Sequence, residues 1–421
     1  MSPTAKKPRE ATPAPRPKSK ATHKWLFPSR IRPNAFSWKS SRVAVDRIRE
    51  AVGEISAVAR HDTALAAEGA VRLIERLSPA LEHVDSSSGA LGSAVNGAIE
   101  TLVPIIAGAK VSETVRKRWL DRLFAAHEAD EIPYIEILTD YWGELCASPK
   151  LASAWADELV GITRLALSPD KSLRGHYHGT TACLDALLYA RRFAELYDIL
   201  KVEKFWHYKR WAVKALAAEG KTDEAIALAE ASRGPWTSET DVNRLCEGIL
   251  LSVGRAGEAY RRYGLYAHRA GTYLATFRAV AKAYPSIPRD QVLADLIALS
   301  PGDEGKWFAT AKELKLYEVA LKLVRESPCD PKTLARAARD FAEREPRFAH
   351  GAGFAALYWL VRGQGYEISS IDVWGAYHST LKAAEQLGTL DDTKTHVRQL
   401  VAQEVQGGFV RQILGRELSL A

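Results

Sequence analysis

Cysteine is scarce: four in 421 residues, at positions 146, 183, 246 and 329, with no CxxC pair. That spacing excludes a zinc knuckle and suggests no disulfide frame. Long apolar runs are missing as well. The longest uncharged one, around residues 101–109, is too short to span a bilayer, so no transmembrane segment is expected. No apolar segment of signal-peptide length follows the charged start, and cytoplasmic residence is the expectation. Strict apolar–polar alternation is absent, so strands are not needed anywhere. Acids are nearly absent from one segment. Residues 1–42 carry eleven Lys and Arg against Glu10 alone. The formal charge of +7 thus divides into +10 for that segment and −3 for the remainder, which holds 47 basic and 50 acidic residues. The basicity is a property of the tail.

What is present is helical punctuation. A hydrophobic fraction of 47% with 26% charged residues is enough to bury a core. Val45, Ile48, Val52 and Ile55 recur at helical spacing. A second helix is expected from a cap at Asp62 to about Val84, and a third from Ala90 to Ala107. Beyond 109, breaks at Ser112, Pro133, Pro149, Pro169, Gly220, Pro235, Gly254, Pro285, Pro301, Pro328, Pro346 and Gly388 give the loop spacing of stacked helical hairpins. GKTDEAI at 220–226 returns as GRAGEAY at 254–260, an offset of 34, and more weakly as KLYEVAL from Lys315. That is the period of a tetratricopeptide repeat. Ala225, Ala259 and Ala320 take its small packing position, with Gly220 and Gly254 in the turn before the second helix. Val213 and Glu247 stand where the consensus wants a small residue, so the repeats are degenerate. The fold class is all-α, a helical-hairpin solenoid of tetratricopeptide-like type behind a disordered basic tail. The expected parts are a Pro-rich tail at 1–35, an N-terminal helical domain at 36–110 and the solenoid at 111–421.

Two blocks carry resemblances. FSWKSSRVAVDRIREAVGEI (36–55), with residues 64–105 and especially HVDSSSGALGSAVN, resembles a bacterial all-helical family described only as a domain of unknown function. LYEVALKLVRESPCDPKTLARAARDFAERE (316–345) is similar to helical repeats of SWIM zinc-finger proteins. The zinc motif of that family, CxC followed by CxH, is absent, so no metal role carries over. The resemblances imply a helical fold and a bacterial source, and no mechanism.

Candidate chemistry is sparse. His83, Asp85 and Ser86, Ser87 and Ser88 hold the groups of an activated nucleophile, but no GxSxG elbow surrounds them, and capping of the next helix is the favoured reading. Gly220-Lys221-Thr222 mimics the end of a phosphate loop, yet Ala215 stands where the motif needs glycine. His176 and His178, near Cys183 and Asp185, are metal-ligand types without a convergent spacing, and a plain loop is favoured. No cofactor, metal or catalytic set is expected. Two aromatic-basic groups, 206–211 and 260–273, suit a protein anchor or a ridge of inter-helix packing. Lys209, Arg210, Arg261, Arg262, Tyr263 and Arg269 are the candidate partner contacts. Lys6, Lys7, Arg9, Arg16, Lys18 and Lys20 in the tail are candidates for nucleic-acid backbones. The expected function is a non-enzymatic protein-interaction scaffold, with nucleic-acid association through the tail as the alternative.

Overall fold

A computed structural model describes residues 23–405 and 407–420, all helix, turn and loop, with no strand among them. The chain divides into two compact units, to Gly220 and from Lys221. The first contains α1 (Phe27–Arg30), α2 (Ser41–Ala59), α3 (Thr63–Leu81), α4 (Ala90–Gly108), α5 (Glu113–Glu128), α6 (Trp142–Cys146), α7 (Pro149–Ala166), α8 (Thr180–Tyr189), α9 (Phe193–Leu200) and α10 (Trp206–Ala218). Here α2, α3 and α4 pack mutually, α5 lies on α3, and α6 touches both α4 and α8. The expected boundary at 110 therefore does not separate bodies. Arg122 shows why: its guanidinium forks onto Glu75 at 2.6 and 2.8 Å and reaches Glu68 at 2.6 Å, tying α5 to α3.

Several local expectations hold. Asp62 caps α3 by accepting from the Leu65 amide at 2.9 Å, and Ser112 caps α5 through Val115 at 3.3 Å. Helix α4 runs well beyond the apolar stretch at 101–109. It is long and apolar enough to cross a membrane by length and composition alone, yet Leu91, Val95, Ile99, Leu102 and Ile106 are buried within the unit.

Order begins before residue 36, which corrects the tail boundary. Phe27 and Ile31 are buried, and the Leu26 and Phe27 amides donate to Glu54 at 2.8 and 3.3 Å. The Trp25 ring lies over Gly69, where any Cβ would collide with it. Pro28 does not prevent this, because it occupies the first turn of α1, where an amide has no helical partner. Trp25, Phe27 and Ile31 supply apolar area that averaging over the prolines concealed.

The second unit contains α11 (Thr222–Glu230), α12 (Glu239–Ser252), α13 (Ala256–Ala259), a π turn at Tyr260–Gly264, α14 (Leu265–Ala267), α15 (Tyr273–Ala283), α16 (Arg289–Ala298), α17 (Phe308–Glu313), α18 (Tyr317–Glu326), α19 (Pro331–Phe341), α20 (Pro346–Val361), α21 (Ser370–Leu387), α22 (Leu390–Ala402) and α23 (Phe409–Leu414). Helices α19, α20 and α21 pack on one another around Leu334, Ala337, Ala352 and Val373, all fully buried. The repeat seen in sequence has a backbone signature. Gly220, Gly254 and Lys315 have φ of 82°, 77° and 59°, in the left-handed region where glycine is favoured. Ala225, Ala259 and Ala320 are fully buried. A further turn of this kind stands at Arg191, φ 58°, between α8 and α9. It escaped the sequence comparison because Leu196 replaces the alanine. In three of these turns the next residue closes the helix end, with Arg192, Arg255 and Leu316 amides donating to Leu187, Leu250 and Ala311 carbonyls at 2.9 Å.

Glu247, the misfit of the repeat, is buried and satisfied. It accepts from the Tyr284 hydroxyl at 2.5 Å and lies 2.9 Å from His268 Nε2. Glu247 thus anchors a buried polar network.

Candidate functional site

The expected partner contacts separate on burial. Tyr263 is 2% exposed and donates to Glu230 at 2.5 Å, so it is a packing residue and the assignment as an anchor is corrected. Three residues apart, Tyr260 and Tyr263 share one side of the π turn and both point inward, and Tyr260 meets Asp295 at 2.6 Å. Trp206 and Trp211 are buried likewise. Arg262 is held between Glu258 at 2.7 Å and Glu230 at 2.9 Å, and Arg210 pairs with Asp140 at 2.8 Å. Lys209 is half-buried, while Arg261 and Arg269 are exposed. Only Arg269 of the six lines a cavity described here. The tail candidates Lys6, Lys7, Arg9, Arg16, Lys18 and Lys20 lie outside the described residues.

The serine cluster forms local turns ahead of α4, whose N-cap is Gly89 without a side-chain cap. Asp85 accepts from the Ser87 amide at 2.9 Å, which holds its carboxyl below the usual range, and Ser88 accepts from the Ala90 amide opening α4 at 3.4 Å. No hydrogen bond joins His83 to these serines among the described residues. Lys221-Thr222 follows a left-handed turn and opens α11, with no strand before it.

The histidine loop behaves differently from expectation. Cys183 and Asp185 are buried on α8, and Asp185 accepts from the Gly143 amide at 2.7 Å. His176 and His178 instead meet His127 from the end of α5 and His207 from α10 around a cleft of about 360 Å³. The rings of His127 and His178 stand 5.7 Å apart edge-on, and those of His176 and His178 4.7 Å apart. His127 Nε2 lies 3.1 Å from the His178 carbonyl, which can only accept, so Nε2 carries the proton. Its Nδ1 is then a lone-pair acceptor, and that atom is buried without a protein partner. Asp130, 4% exposed, presents a second such atom: Oδ2 accepts from the Ile135 amide at 2.8 Å, while Oδ1 has no partner. Burial lowers the affinity of His127 for a second proton, and burial with nearby Arg210 does the same for His207.

Glu131 and Glu136 stand at the exposed rim, Tyr177 and Tyr208 add aromatic walls, and no Lys or Arg lines the cleft among the described residues. The wall therefore sets carboxyl groups beside imidazoles with no Lys or Arg. Among the described residues no three His, Cys, Asp or Glu converge closely enough to hold a metal ion. Sequence reading caught His176 and His178 but missed His127, Asp130 and His207, which lie about 30 to 50 positions away in the chain. Histidine density was the available signal, since four of the chain's eleven line this one cleft.

No family model matches the chain, and no curated protein or solved structure matches it either.

Proposed function

We propose that the protein is a non-enzymatic interaction scaffold, built of tetratricopeptide-like helix pairs stacked as a solenoid, that presents a groove to a peptide or protein. The supporting observation is a cleft of about 500 Å³ in the second unit, walled by α15 and α16 and the loops at their ends. Its floor combines Leu296, Trp307 and the 38% exposed Leu299. Its polar groups are fixed in place: Tyr273 donates to Asp303 at 2.8 Å and the Trp307 indole to Ser300 at 2.8 Å. Arg269 stands at the edge, 5.8 Å from the Tyr266 ring centroid. An apolar floor with a few oriented polar groups and one exposed Arg is the composition of an interaction hot spot. Arg269→Glu and Leu299→Asp are surface changes expected to leave thermal stability unchanged and to weaken partner retention at least ~10-fold. A partner retained equally by both variants would refute the reading.

The segregation of charge favours a second reading, nucleic-acid association through the tail. Removing residues 1–22 keeps Trp25 and the packed start of the fold. This deletion is expected to abolish binding to a generic duplex, and full-length binding should fall with log salt at a slope of about −0.9 per phosphate contacted. Binding insensitive to salt would end it. The resemblances of 36–105 and 316–345 to helical families agree with either reading.

A further inference from the structure

We propose that the cleft between α5, the 176–178 loop and α10 binds an organic cation, a primary ammonium or a guanidinium, whose N–H groups donate to Asp130 Oδ1 and His127 Nδ1. The inference concerns the first unit alone and does not rest on the groove of the second.

The donor–acceptor balance comes first. Both buried atoms that lack a protein partner on this wall are acceptors. An unpaired buried acceptor costs about 1–3 kcal/mol, so two of them on one wall select a ligand that donates twice. Charge points the same way. Asp130, Glu131 and Glu136 line the cleft with no Lys or Arg among its walls, and the nearby guanidiniums of Arg210 and Arg174 are engaged by Asp140 and Glu203. An anion would meet three carboxylates, and a neutral amide would leave their field uncompensated. The lining completes the case: Tyr177 and Tyr208 add aromatic surface beside which a cation is favoured, and Glu131 and Glu136 are its exposed acids. The acids alone would be only a solvated rim. It is the buried, unsaturated pair behind them that makes the cleft a site.

The same cation has two possible sources, a free base or the side chain of a basic peptide. Titration calorimetry on the full chain distinguishes them and tests the site. Butylguanidine is expected to bind, and the isosteric, uncharged butylurea to bind at least ~10-fold more weakly, because charge-assisted hydrogen bonds are about twice as strong as neutral ones. If a blocked arginine tripeptide binds tighter than butylguanidine, the source is a peptide. If it binds more weakly, the source is a free base. Asp130→Asn conserves the shape and can still accept from Ile135, and should cost at least ~10-fold in butylguanidine affinity. Glu136→Gln, at the exposed rim and safe for folding, should cost ~3-fold with an unchanged melting curve.

Affinity should also fall as the pH drops below about 6.5, the ordinary imidazole value beneath which burial holds His127 and His207, because they then take up protons and repel the ligand. His127 faces His178, Asp130 and Glu136, and His207 faces Arg210, Asp140, Glu136 and His176, so each new charge is only partly neutralised. Three results would overturn the assignment. They are no butylguanidine binding at about 10 mM, equal binding of butylurea, or zinc binding by a chain that ignores butylguanidine.

Discussion

Replacing Arg116 by alanine should destabilise the first unit by about 3 kcal/mol or more, because it strips several helix-end carbonyls of their donor at about 1–3 kcal/mol for a buried acceptor left unpaired. Arg116 is 6% exposed and faces no carboxylate. Its guanidinium donates instead to the Ile106, Ala107 and Ala109 carbonyls at 2.6, 3.2 and 2.6 Å, and to Leu145 at 3.3 Å. Three of these are at the C-terminal end of α4, where helix carbonyls have no intrahelical donor and the helix dipole is negative. One side chain thus ends α4 and joins it to α6. Arg116→Lys keeps the charge but loses the planar fork, so it should recover only part of the loss. Urea denaturation, read by hydrogen exchange of residues 90–108, measures the effect. A loss below about 1 kcal/mol would show that the carbonyls find other donors.

Asp185→Asn should stabilise the same unit, and by an amount that depends on pH. Burial raises the Asp185 carboxyl to about 7, against the attraction of Lys214 and the Gly143 amide. The sign follows from proton counting. Between the ordinary carboxyl value near 4 and pH 7, the folded state holds a proton that the unfolded state has released. Wild-type stability therefore falls as pH rises through that window and reaches its full penalty above 7. The asparagine has no such term and can still accept from Gly143. Its advantage should grow by up to about 4 kcal/mol between pH 4 and 8, from three pK units at 1.36 kcal/mol each. Exchange rates of residues 142–166 at both pH values provide the readout. Parallel stability curves for the two proteins would sink the prediction.

Much of the local structure was legible because its causes are local. Asp62 and Ser112 cap helices through amides three residues on, and Gly220 and Gly254 adopt the left-handed turns their lack of Cβ permits. Arg191 and Lys315 adopt the same turn without that advantage, so only the backbone reveals the full series. Tyr263 read as a surface anchor because spacing by three suits a ridge or a face equally. Packing against Glu230, far off in the chain, decided for the ridge.

Chain chemistry by itself determined that this protein is helical, where most helices stop, and that its positive charge is concentrated at the start. These follow from propensity, caps and composition, each set within a few residues. Packing alone decided that Trp25, Phe27 and Ile31 join the first unit, that the compact units part at Gly220, and that His127, Asp130, His178 and His207 share one cleft. Such convergence depends on which helix faces which across tens of residues, a balance of buried area that no short window contains.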